Sequence, residues 1–260
     1  MDNLKKLSAK FYSIDPHEEQ SSGDVEIAND EPICIHVNGE YLATLVATPE
    51  MLEELAAGYL LSSGVIKNNN DISSLTVEIT DVHVDLTTKV DLREASLGMM
   101  NLIVTACSSS SYRRHTNNTF PRVSSTIKVK PRQIVDMMRE LNKRGRVYNH
   151  TRGTHSAMIC SDHASLLSFS EDVGRHNAVD KVIGAVLLEG ASFSDCLLLS
   201  TGRQSGEMVL KAAKAGIPLV ASMTVPLVSG IRMAEKTGIT LVSLIGGKLC
   251  VYSVPDRVVS

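Results

Sequence analysis

Apolar positions along this chain switch between two periods. Over residues 32–46, "PICIHVNGEYLATLV", they alternate with polar ones on either side of Asn38-Gly39, which predicts two strands joined by a two-residue hairpin. The next stretch, "TPEMLEELAAGYLLSSGVI", repeats apolar residues at helical spacing: Leu52, Leu55, Ala56, Tyr59 and Leu60. Thr48 is expected to cap that helix, with Pro49 at its first position, Glu50 in its first turn and Gly64 as its stop. "LTVEITDVHVDL" alternates again and predicts a second strand pair, and "MNLIVTA" closes a small α+β unit over residues 1–106. The first thirty residues are polar and are expected to be irregular.

Residues 107–125, "CSSSSYRRHTNNTFPRVSS", hold few apolar anchors, so a linker or a mobile functional loop is expected there. A second, larger unit spans 126–260. It begins with a helix in "VKPRQIVDMMRELNKRGRVY", whose apolar stripe is Ile134, Val135, Met138 and Leu141. Strand-like runs ("SAMICS", "SLLSFSED", "CLLLST", "IPLVASM") then alternate with helical ones ("HNAVDKVIGAVLLEG", "SGEMVLKAAKAG", "PLVSGIRMAEKTG"), and a final strand pair turns at Gly246-Gly247. This order predicts an α/β fold with a largely parallel sheet covered on both faces. In such sheets, ligands bind beyond the carboxyl ends of the strands.

Composition narrows the classes. With 260 residues, 43% of them hydrophobic and 21% charged, the chain has material for an ample core. It has no Trp and only 4% aromatic residues, which disfavours base stacking. No apolar run is long enough for a membrane span, and the start lacks the apolar core of a secretory signal, so a cytoplasmic protein is expected. The net charge of −3 hides a segregation: residues 107–152 carry eleven Lys/Arg and two acids, hence +9, against −12 elsewhere. That pattern suits either an anionic partner or a solvated helix face. A pI near 6.2 disfavours general nucleic-acid binding.

The five cysteines include no C-x-x-C pair, so neither a zinc ribbon nor a thioredoxin-like site is supported. Cys34, Cys160, Cys196 and Cys250 sit in or beside apolar runs and read as small buried hydrophobes. Cys107 differs, with apolar residues before it and polar ones after. Arg113, Arg114 and His115 nearby favour its thiolate, the nucleophilic form. It is either a reactive thiol or an idle linker cysteine.

Three loops at expected strand ends carry polar groups. In "TGRQSGE", Gly202 lets backbone amides approach an anion, Arg203 adds charge and Ser205 can cap the next helix; many ordinary strand-to-helix turns look similar. "SEDVGRHNAVDK" crowds Asp172, Arg175, His176, Asn177, Asp180 and Lys181 into ten positions, more than capping and surface pairing alone require. "RGTHSA" places His155 without the glutamate and cysteine pair of the zinc nucleobase deaminases, which excludes that chemistry.

Taken together, "NGEYLATLVATPEMLEELAAGYLLSSGVI", "GTHSA", "EDVGRHNAVDKVIG", "LLLSTGRQSGEMVLKAAKAGIPLVASMTVPLVSGIRMAEKTGITLV" and "GGKLCVYS" resemble the formate dehydrogenase accessory protein family (FdhD, also called NarQ), from about residue 31 to the end. The resemblance implies a cytidine deaminase-like three-layer α/β/α core without zinc, a smaller N-terminal α+β domain, and a homodimer. It implies a sulfurtransferase that takes sulfur from a cysteine desulfurase as a cysteine persulfide. The recipient is the molybdenum bis-molybdopterin guanine dinucleotide cofactor destined for formate dehydrogenase. The family's C-x-x-C motif falls on Cys107 and Ser110, so the first thiol is kept and the second is absent. Cys107 is thereby the implied persulfide carrier. Arg175, Asn177, Gly202 and Arg203, with Ile245, Gly246, Gly247 and Lys248, are the implied cofactor-binding residues. A non-catalytic molybdenum cofactor chaperone is the alternative. Neither nucleic acid nor membrane is an expected partner.

Overall fold

The start of the chain pairs with itself. In the computed structural model, which describes residues 3–12, 21–90 and 120–259, β1 (Leu4–Phe11) and β2 (Ser21–Ala28) form an antiparallel ribbon. The expected irregular start is therefore corrected. Leu7 lies opposite Val25, and Ile27 and Phe11 fall on the same face by register. These four apolar residues are spread among lysines and acids, too sparsely for periodicity to register.

β3 (Glu31–Val37) and β4 (Glu40–Ala47) are the expected hairpin. Asn38 and Gly39 both take positive φ (51° and 78°), the turn that matches strand twist. The following helix, α1 (Leu52–Ser63), starts later than Pro49. Thr48 does not cap it, because Thr48 is held elsewhere: its N–H donates to Asp172 Oδ2 (3.1 Å) and its Oγ1 accepts from Val173 N–H (3.2 Å). Met51 then enters the helix in the left-handed region, at φ 54°. β5 (Ile72–Glu78) and β6 (Asp81–Leu86) complete a four-stranded sheet, ordered β4-β3-β6-β5. Its inner face, with Ile33, Ile35, Val37, Val82 and Val84, is buried in one cluster with α1. α1 has structure on both sides, which is why Ala57, Gly58, Leu61 and Ser62 are buried beside the stripe read from the sequence.

After α2 (Pro131–Arg144) and α3 (Arg146–Thr151) come β7 (His155–Ser161), β8 (Leu166–Asp172), α4 (Arg175–Leu188), β9 (Cys196–Ser200), α5 (Gly206–Ala215), β10 (Leu219–Ser222), α6 (Val228–Thr237), β11 (Thr240–Ile245) and β12 (Lys248–Ser253). The second sheet has six strands, ordered β12-β11-β10-β9-β7-β8. Only β9, β10 and β11 run mutually parallel through direct pairing; β7 is antiparallel to both neighbours and β12 to β11. The largely parallel sheet is thus corrected to a mixed one. β7 and β8 are joined by a short turn and β11 and β12 by Gly246-Gly247, and such links make antiparallel pairs.

Both faces of this sheet are covered. Met158, Leu197, Leu199 and Leu219 share a core with Ile134, Met137, Met138 and Leu141 of α2. Met137 takes the buried place expected of Val135, which is half-buried. Alternate residues Ala157, Ile159, Leu198 and Val220 join the larger core with α1, α4, α5 and α6. Cys160 and Cys196 are buried, and burial pushes both thiols up to about 11. Cys34 and Cys250 are only half-buried, a correction to the reading of all four as core residues. Among the described residues no helix is long and apolar enough to cross a membrane.

α1 and α4 cross at two glycines. A Cβ on Gly58 would lie 1.8 Å from the Asp180 carbonyl oxygen, and one on Gly184 1.8 Å from that of Glu54. Below the crossing, Lys211 of α5 donates to both Asp180 carboxylate oxygens (2.9 and 2.7 Å) and to Ser62 Oγ (2.9 Å), tying α1, α4 and α5 together.

Candidate functional site

The carboxyl ends of β8, β9, β10 and β11 and the amino end of β7 share one edge of the six-stranded sheet, as strand directions and register require. Ser200 and Ser222 close two otherwise apolar strands there. Ser200 Oγ accepts from Gly202 N–H (3.0 Å), while Ser222 Oγ (2.9 Å) and Gln204 Nε2 (3.0 Å) donate to the Gly202 carbonyl. The loop 201–205 is therefore fixed by side chains. Ser205 caps α5, as expected, by accepting from Met208 N–H (3.5 Å).

Arg175, at the start of α4, lies across this loop. A Cβ on Gly202 would fall 2.8 Å from Arg175 Cβ and 3.1 Å from its Cδ, so the bare glycine makes room for the arginine stem. His176 Nε2 stands 3.5 Å from Glu207 Oε2, linking the first turns of α4 and α5. His155, half-buried at the start of β7, has its pKa lowered. Burial is the main cause, followed by the positive field of Arg175, His176 and Arg203, with Asp172 opposing. That combination places two arginines and two histidines around the start of α4 and α5. Helix N-termini present free N–H groups to anions, and arginine adds charge and a planar donor set. Gln204 is fully buried, and among the described residues its Oε1 has no hydrogen-bond partner, so one acceptor at this edge is unused.

Not every expected site residue joins the cluster in the same way. Arg175, Gly202 and Arg203 do. Asn177 is buried, and both hydrogens of its amide are taken, by the Val46 carbonyl (2.8 Å) and Asp172 Oδ1 (3.0 Å). Ile245, Gly246, Gly247 and Lys248 form the exposed β11–β12 hairpin on the same edge. β11 is two strands from β9, roughly 10 Å at about 4.8 Å per strand. Cys107 and its neighbours Ser110, Arg113, Arg114 and His115 lie outside the described residues. Sequence reasoning missed Gln204, Ser200 and Ser222. The two serines did leave a signal, a polar residue ending an apolar strand run.

The sequence profile of the FdhD/NarQ family matches residues 28–259. A relative in Bacillus subtilis, named sulfur carrier protein FdhD, is 35% identical over 232 residues, 87% of this chain and 88% of that one. A protein of the same name in Listeria innocua is 30% identical over 99% of this chain and its own full length. The crystal structure of a protein described as a formate dehydrogenase accessory protein, from Desulfotalea psychrophila, superposes with a TM-score of 0.78 at 26% identity, over 98% of this chain and 99% of the other. A profile match over nearly the whole length, with the fold to accompany it, makes this chain a member of the FdhD/NarQ family.

Proposed function

We propose that this protein is a sulfur carrier serving formate dehydrogenase, with Cys107 as the sulfur-bearing residue. The observation that carries the reading is the full-length similarity to proteins named as sulfur carriers. The Cys107 thiolate attacks the outer sulfur of a cysteine desulfurase persulfide; the donor's S–S bond breaks, its cysteine leaves as thiolate, and a new persulfide forms on Cys107. The cargo is the molybdenum bis-molybdopterin guanine dinucleotide cofactor. Sulfane sulfur becomes sulfide only by taking up two electrons, so delivery calls for a reduced molybdenum centre or a thiol to supply them.

The carboxyl edge is where that cargo would bind. Arg175 and Arg203 would meet its pyrophosphates by charge-assisted hydrogen bonds, with the start of α5 as a further anion seat. The hairpin at Ile245–Lys248 would reach a more distant part of so large a ligand. Asn177 would act through the turn it holds, since its amide hydrogens are spent. The reading extends to a cytoplasmic homodimer whose six-stranded unit is layered as in the cytidine deaminases, supported by helices on both sheet faces.

Incubation with a cysteine desulfurase and cysteine, followed by intact mass and peptide mapping, tests the carrier. One added sulfur on Cys107, absent in Cys107→Ala, is expected. No adduct, with the desulfurase proven active, overturns the carrier reading. If GDP still binds, the non-catalytic chaperone takes its place. GDP affinity is expected to fall at least 10-fold in Gly202→Ala, because the added methyl displaces Arg175.

A further inference from the structure

Two charged residues of "EDVGRHNAVDK", Asp172 and Lys181, share a partner set away from the edge. Asp172 and Lys181 are both fully buried and form an ion pair at 2.6 Å. The Asp172 carboxylate also accepts from Thr48 N–H (3.1 Å), Gly174 N–H (2.8 Å) and Asn177 Nδ2 (3.0 Å). Lys181 Nζ donates in addition to the Thr48 carbonyl (2.8 Å), and Asn177 to that of Val46 (2.8 Å). Two segments more than 120 residues apart in sequence are thus clamped: the end of β4 with Thr48, and the turn that begins α4.

What the clamp holds is the part of the chain that bears Arg175 and His176. Gly174 is the N-cap of α4 and has no side-chain cap bond of its own. Its geometry is instead set by Asp172 behind it and by Asn177 within the first turn. A Cβ on Gly174 would lie 2.8 Å from Asn177 Nδ2, so the turn is drawn tight against that amide. A buried ion pair is weak evidence for stability, because two charges leave water; its best-attested use is to fix one arrangement among alternatives. Here four donors converge on one carboxylate, and each comes from a segment whose position matters to the edge.

We propose that Asp172 and Lys181 are positioning residues for the anion site, locking the Gly174–Asn177 turn so that Arg175 lies over Gly202. The assignment of that site to an anionic ligand rests on the function proposed above; the locking of the turn does not. Neither residue touches the ligand in this scheme. Both act through Arg175 and His176, and the N-terminal unit takes part in the site through Thr48 although it contributes no ligand contact.

The test uses the full-length chain, GDP as probe, and two variants. Asp172→Asn/Lys181→Met removes both charges together, so no unpaired ion is left buried. Thr48→Val keeps the backbone contacts and the side-chain volume, and loses only the hydroxyl that accepts from Val173; it keeps the question open if the double variant does not fold. Amide hydrogen exchange without ligand is expected to speed up at least 10-fold at residues 173–178 in the double variant and about threefold in Thr48→Val. The distal turns of α4, at 182–188, should stay protected. GDP dissociation constants are expected to rise by similar factors in protein whose near-UV circular dichroism is unchanged. Faster exchange spread evenly over both sheets, or wild-type exchange at 173–178 in a folded variant, overturns the positioning role. Wild-type protein that does not bind GDP speaks against the proposed function, while the exchange experiment still decides the clamp.

Discussion

His155 shows how one side chain reports on the site. It sits at the amino end of β7, opposite Asp172 in the β7–β8 register, with Arg175, His176 and Arg203 as its positive neighbours. Burial and those charges favour the neutral ring, so its pKa lies below the ordinary 6.5. The sign of the linkage follows. Between its folded pKa and 6.5 the unfolded chain binds the proton and the folded chain does not, so stability rises with pH through that window and is lost on acidification below about 6.5. Titration of the His155 ring by NMR is expected to give a midpoint below 6.5, and His155→Gln should flatten the fall in unfolding temperature between pH 6.5 and 5 relative to wild type. A midpoint at or above 6.5 would mean that neither burial nor the nearby positive charges govern this ring. The same residue illustrates what sequence reading withholds. "RGTHSA" shows a histidine near a strand start, but its two arginine neighbours come from loops twenty and forty-eight residues later, and only strand order brings them together.

At the scale of elements, the α1–α4 crossing leaves less room for an added methyl than any other glycine position among the described residues. Gly184→Ala puts a Cβ against the Glu54 carbonyl at 1.8 Å, and backbone on backbone has no flexible atom to yield. The helices must separate, and a loss of about 3 kcal/mol is expected, the upper end of overpacking costs. Urea unfolding checks it: the midpoint should fall with the slope unchanged, and an unchanged midpoint would show that the helices stand further apart. Local pattern did reveal most of these elements. Period-2 runs gave β3 to β6, helical spacing gave α1 and α2, and Ser205 was legible as the α5 cap. What stayed hidden depends on distant partners. The α1 start lies later than its pattern predicts because Thr48 answers to Asp172 and Val173, and the sheet, mixed rather than parallel, departs from its pattern because hydrophobic runs carry no strand direction. The crowding of polar groups around Arg175 is legible in the sequence, but its division into residues at the edge and residues in the buried clamp is set by partners at positions 46 and 48.

The whole molecule is electrically lopsided. From Phe120 to Arg152 the chain carries nine Lys/Arg (Arg122, Lys128, Lys130, Arg132, Arg139, Lys143, Arg144, Arg146 and Arg152), every one exposed, and two acids, Asp136 and Glu140. Asp136 is shared by Arg132 and Arg139, and Glu140 is taken by Arg144, so the stretch stays near +7 while the rest of the chain holds −10. α2 buries its apolar stripe in the sheet face opposite α4, α5 and α6, which leaves its own Arg132, Arg139, Lys143 and Arg144 displayed outward. Fields of this kind act on binding and approach rather than on folding. The protein is therefore expected to adhere to a sulfonate cation exchanger at pH 7.5 and low salt despite a net charge of −3 and a pI near 6.2. Moderate salt should release it, since a Debye length of about 8 Å at physiological ionic strength already weakens exposed charges. Replacing Arg139, Lys143 and Arg146 by Glu should send it through the column unretained, with its circular dichroism unchanged. Wild-type protein that fails to adhere would mean that the opposite charges lie close enough to cancel the patch. Adhesion would show that the exposed cations of the 120–152 stretch, rather than the net charge, set how the protein meets an anionic surface.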